Sequence, residues 1–190
     1  MLGGNNMRKN EIDELINIYE NYGVEELIAK LYEIQEQNKN AELSELLSAY
    51  MHLTNRNNNS YFYTSDKEQV VTNNTGSVIY FSKKLFDFKN INDRKIVAKS
   101  SLNVNEDEMM EILGTFRTLC GTKVTPTNDI DFLNGKAVVT TKHNSAEFNQ
   151  KEFELVAKLL NYPTFNLSDN ASVMYMLGDS GYAYIKGKTK

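Results

Sequence analysis

The chain has 190 residues, a formal charge of −4, and 41% hydrophobic and 24% charged residues, enough for one sizeable core or for a domain of ~130 residues with a small appendage. The composition excludes wholesale disorder, and the single thiol, Cys120, excludes an intramolecular disulfide and a multi-Cys zinc site. No apolar run approaches the ~18 residues of a membrane span, and the opening MLGGNNMRKN lacks the apolar stretch of a signal peptide, so a cytoplasmic protein without a membrane partner is expected.

In chain order, the first third reads as helices. Ile12, Leu15, Ile16 and Tyr19 recur at helical spacing up to Tyr22-Gly23. A second helix carries Val24, Leu27, Ile28, Leu31, Tyr32 and Ile34, and the polar stretch 35–40 is expected to end it. A third, from Ala41 to Thr54, carries Leu43, Leu46, Leu47, Tyr50 and Leu53. The period then changes to that of strands. Tyr61–Thr64, Gln69–Thr72 and Ser77–Phe81 are rich in β-branched and aromatic residues, and turn residues separate them as in a meander. The stretch 95–104 suits a strand, Asn105 a helix cap and Glu106–Cys120 an amphipathic helix ending at Gly121.

Further on, Asn134-Gly135 predicts a tight turn before a strand over Lys136–His143. Asn149 predicts the cap of a helix from Gln150 to about Asn161, which Pro163 stops. Strands over Thr164–Leu167, Ser172–Leu177 and Tyr182–Lys186 complete the chain. The expected fold is therefore α+β: a helical module at 1–54, then a mainly antiparallel sheet domain at 55–190.

The closing order is β-α-β-β-β, and the stretch 41–81 reads α-β-β-β, a weak internal repeat. Two βαβββ units side by side make one domain of the DNA sliding-clamp fold. The segments Asn144–Lys151, Leu159-Leu160 and Gly178–Ala183, together with Tyr63-Thr64-Ser65-Asp66, resemble the clamp-like proteins common in phage genomes. Heavy use of Asn, Lys and Ile fits an AT-rich source such as a low-GC bacterium or its phages. The resemblance implies a clamp-like domain over the C-terminal two thirds. A working ring of about six such domains implies a high oligomer when each chain supplies one. The chain departs from the resemblance in its ending, Gly187-Lys188-Thr189-Lys190, and in helices that are not basic.

Candidate chemistry is sparse. His52-Leu53-Thr54 and His143-Asn144-Ser145 are both His-x-Ser/Thr, resembling the paired motifs of two-histidine phosphoesterases. There, one imidazole is the base and the other the acid, while the hydroxyls hold the phosphate. Two surface histidines are the simpler reading. Gly178-Asp179-Ser180-Gly181 reads as a hairpin turn and Cys120 as a small buried hydrophobe. Two separated His with one Cys supply no metal cluster, and no Gly-rich phosphate loop is present, so neither a metal nor a cofactor is expected.

Charge is more informative. Residues 1–54 carry 4 basic and 10 acidic groups, net −6, whereas 55–190 carry 17 and 15, net +2. Lys83, Lys84, Lys89, Arg94, Lys95 and Lys99 form a basic stretch able to follow a phosphate backbone, against the plainer reading of a solvated connection. The acidic helices carry apolar stripes through Leu15, Ile16, Tyr19, Leu27 and Leu31, which need a partner, a second copy or the sheet to cover them. The expected role is non-enzymatic: protein–protein binding by a phage or mobile-element protein, on host replication or defence machinery. The alternatives are a DNA clamp or DNA-binding accessory factor, and a phosphoesterase using His52 and His143.

Overall fold

Helix α1 (Lys9–Tyr22) ends at Gly23, which takes the positive φ of 89° that lets the chain reverse. The computed structural model describes residues 9–54, 60–73, 76–83, 85–86 and 101–187. Helix α2 (Val24–Thr54) is one element of 31 residues. It does not break at the polar stretch 35–40, where the sequence suggested a stop. That stretch holds neither Pro nor Gly, and Glu, Gln and Lys are good helix formers. Gln37 Nε2 also donates to Glu33 Oε1 at 2.9 Å, one turn away.

The chain divides into two compact units between Glu42 and Leu43, inside α2 rather than at its end. In the first unit, α1 folds back on the start of α2. Lys30 Nζ lies 3.4 Å from Glu14, and an open groove of about 340 Å³ runs between Ile18 and Tyr22 on one side and Glu26, Ala29, Lys30 and Glu33 on the other.

The second unit is α+β. Its main sheet has eight strands in the order β4-β1-β2-β3-β11-β10-β9-β5. They are β1 (Ser60–Thr64), β2 (Gln69–Thr72), β3 (Ser77–Phe81), β4 (Ser101–Asn103), β5 (Val124–Pro126), β9 (Thr164–Ser168), β10 (Val173–Gly178) and β11 (Gly181–Lys186). All neighbours are antiparallel except β1 and β4. A smaller antiparallel sheet holds β6 (Asp129–Leu133), β7 (Lys136–Thr140) and β8 (Ser145–Asn149). Helix α3 spans Glu106–Cys120 and α4 spans Gln150–Leu159.

The suspected repeat appears in the connectivity as α-β-β-β twice. The end of α2 leads into β1–β3, α4 leads into β9–β11, and the two triplets join through the antiparallel pair β3–β11. The strand before the second helix, β8, belongs to the smaller sheet. One row of side chains crosses the joint without interruption: Phe62, Val71, Ile79, Ala183, Met176 and Phe165, each the register partner of the next. Leu47, Tyr50 and Met51 of α2 and Phe153, Val156, Ala157 and Leu160 at α4 share a core cluster with that row. Helix α3 covers the opposite face, with Met109, Leu113 and Phe116 clustered with Val70 and Val78. Coverage on both faces explains why the middle strands read as continuous apolar runs rather than alternating ones.

Local signals account for most boundaries. Asn105 and Glu108 form a reciprocal capping box at α3, so the acidic Glu106-Asp107-Glu108 sits at the positive end of the helix dipole. The strand expected over Lys136–His143 stops at Thr140 instead. Thr141 Oγ1 accepts from the N–H groups of His143 (3.2 Å) and Asn144 (3.0 Å), closing a turn there. Helix α4 ends at Leu159, two residues before the expected Asn161, because Asn161 and Tyr162 adopt left-handed conformations.

Candidate functional site

No residue from Asn10 to Glu42 is buried. Helix α1 presents Ile12, Ile16 and Tyr19, and α2 presents Val24, Ile28 and Leu31, both sets at spacings of four and three. All six lie between 44% and 55% exposed. Of the residues singled out for docking, Ile16, Tyr19 and Leu31 are exposed, while Leu15 and Leu27 are half-buried. Around these stripes, residues 9–42 carry nine acidic groups and three basic ones. The surface is an apolar seam set in negative charge.

A buried polar cluster in the second unit had no counterpart in the sequence reading. Asn149 caps α4 by accepting from the Glu152 N–H at 3.0 Å. The Glu152 side chain turns inward, accepting from Ser77 Oγ and from Asn73 Nδ2 (3.1 Å). Ser77 Oγ also meets the Tyr50 hydroxyl at 2.6 Å, and Asn73 Oδ1 accepts from the N–H groups of Gly76 and Ser77. The cluster ties α2, β3 and α4 together at the meeting of the two repeats. The only sequence signal was an acid at the third position of a helix, which capping explains equally well.

Burial pushes the Glu152 carboxyl above its ordinary value of about 4.5, with the Ser77 and Asn73 hydrogen bonds pulling the other way. Below the ordinary value, folded and unfolded chains are both protonated here. As pH rises past it, the unfolded chain gives up the proton first, which favours unfolding until the folded group titrates too. Stability of the wild type relative to Glu152→Gln should therefore fall as pH climbs from about 4.5 and level off above the raised pKa. Urea melts of both proteins across pH 4 to 8, taken as about the working range for a carboxyl, measure that difference. A constant difference would remove Glu152 as a titrating group.

The histidine motifs come apart. His52 is exposed on α2, whereas Thr54 is buried, with Oγ1 donating to the Tyr50 carbonyl (3.0 Å) and meeting Ser60 Oγ at 2.9 Å. Residues two apart share a face on a strand but lie on opposite sides of a helix, so the Thr54 hydroxyl does not accompany the His52 imidazole. His143 is exposed in the β7–β8 turn, and Ser145 opens β8 exposed. Burial pushes the Cys120 thiol up, away from the thiolate a nucleophile needs.

Of the basic stretch, Lys83 is exposed, and Lys84, Lys89, Arg94, Lys95 and Lys99 lie outside the described residues. On the α3 face of the main sheet, Tyr80, Tyr175, Tyr182 and Tyr184 form a half-buried aromatic cluster, with Tyr80 and Tyr182 stacked at 4.8 Å. Tyr80 donates to Glu68 Oε2 at 2.6 Å, which pushes its phenol up to about 12, and burial first pushes Tyr184 to about 12. Both phenols are neutral near pH 7 and serve as packing and hydrogen-bonding groups, not bases. Among the described residues no three His, Cys, Asp or Glu gather for a metal ion, and no helix is long and apolar enough to cross a membrane. Comparison of the chain with protein-family models, curated proteins and solved structures finds no match.

Proposed function

We propose that this chain is a protein-binding module whose acidic helical hairpin docks onto another protein. The observation that carries the reading is the pair of exposed apolar stripes, Ile12-Ile16-Tyr19 and Val24-Ile28-Leu31. Short helices without a buried face are marginal in water, and covering an apolar stripe is what stabilises them. Charge selects the occupant. A hairpin of nine acidic and three basic groups repels its own copy and attracts an apolar groove rimmed by Lys and Arg. The repeated α-β-β-β order supports a clamp-like second unit acting as the scaffold that carries the hairpin. A phage or mobile-element protein working on host replication or defence machinery fits that arrangement.

The double variant Ile16→Asp/Leu31→Asp should weaken binding about 100-fold or more, since buried apolar anchors each contribute ~2 kcal/mol or more to such interfaces. Its melting transition should stay close to the wild type, because both side chains are exposed. The check is affinity for a partner captured from host extract and then reconstituted from purified components, at low and physiological salt. Affinity should fall as salt rises. Unchanged affinity in the double variant sinks the hairpin reading, and a stable homodimer disrupted by the same changes makes a second copy the occupant.

A further inference from the structure

We propose that β6 is a strand-addition site for an extended, basic segment of another protein. Among the described residues, the strand is the outer member of the smaller sheet and pairs only with β7. Ladder parity identifies its outward groups. The Thr141 N–H donates to the Asn144 carbonyl at 2.8 Å, so Val139 and Ala137 also turn their main chain toward β8. Lys136, Val138 and Thr140 therefore turn toward β6 and bond Leu133, Asp131 and Asp129. Ile130 and Phe132 are left facing the open side. The Ile130 N–H is taken by Asp129 Oδ1 at 2.9 Å. The Ile130 carbonyl and both main-chain groups of Phe132 are the ones an added strand would meet.

The side chains state what that strand carries. Ile130 packs against the main core, and the Phe132 ring meets Phe153 edge-on at 6.1 Å while remaining 50% exposed. Apolar side chains on the added strand would extend this face across Phe132. Asp129 and Asp131 line the other face, exposed. Lys or Arg at the alternating positions would stand opposite them, where opposite charges stabilise a cross-strand pair and like charges destabilise it. The same rule disfavours β6 pairing with a second β6, which would align aspartates. The ends of the main sheet are blunter: β4 and β5 have three residues each, and β5 ends in Pro126, which has no N–H to offer.

The test uses the full chain and two short synthetic peptides of identical charge that alternate Val and Lys, one of them N-methylated along one edge. Fluorescence anisotropy should show the unmodified peptide binding at least ~10-fold more tightly, since methylation removes only strand hydrogen bonds. Phe132→Pro, which deletes an outward N–H, should cost a similar factor. Asp129→Lys/Asp131→Lys should cost more and leave the melting temperature near that of the wild type. Equal affinity for the two peptides, or unchanged affinity in the aspartate double variant, overturns the proposal. So does a wild-type dimer that Phe132→Pro dissociates.

Discussion

Replacing Gly181 with Ala is expected to destabilise the second unit by at least ~3 kcal/mol and lower its melting temperature by roughly 10 °C. Gly181 opens β11 opposite Phe81 at a φ of 153°. A Cβ there would stand 1.9 Å from the Tyr80 carbonyl oxygen and 3.0 Å from the Phe81 Cα. Both are backbone atoms of a central strand, so no side chain can swing aside. Relief requires moving β11 from β3, and among the described residues that pair is the only seam joining the two repeats in the main sheet. Gly114→Ala is the matched control, because nothing lies within 4 Å of its Cβ position in α3. It should be neutral or stabilising by up to ~1 kcal/mol. Thermal melts followed by circular dichroism separate the two. A Gly181→Ala protein melting within a few degrees of the wild type would mean the strands can part cheaply.

Phe153→Ala should cost ~3–5 kcal/mol, the range for emptying a buried aromatic site. Phe153 is buried on α4 between the two sheets. Its ring stacks on Phe165 of the main sheet at 5.2 Å and meets Phe148 and Phe132 of the smaller sheet at 6.5 and 6.1 Å. Removing it opens a cavity and takes away a contact that rings of both sheets share. Amide exchange in β6–β8 should therefore quicken more than in β2 and β3. Uniform quickening across both sheets would show that the unit opens as a whole. Phe153→Leu should recover most of the loss, because it refills much of the volume.

Local code was legible because it acts locally. The Asn105 and Asn149 caps, the Asn134-Gly135 turn and the Gly23 reversal each depend on a few residues' own dihedral and hydrogen-bonding preferences. The short strands β5 and β6 carry weaker patterns, and β6 in particular is exposed along most of its length. The turn at Thr141 was hidden for a related reason. Its hydrogen bonds come from a side chain that is equally at home in a strand. The stripes of the hairpin are legible from helical spacing alone, while their exposure is a property of the folded first unit.

The helical start, the meander, both capped helices and the repeated element order follow from periodicity and turn chemistry, which are written residue by residue. Tertiary structure alone decided that β3 pairs with β11, that β8 joins a separate sheet, and that His52 and Thr54 part company on a helix. It also decided that Glu152 turns inward to Ser77, 75 positions away. These are long-range choices, made when apolar faces compete for cover, and no local pattern encodes which face wins.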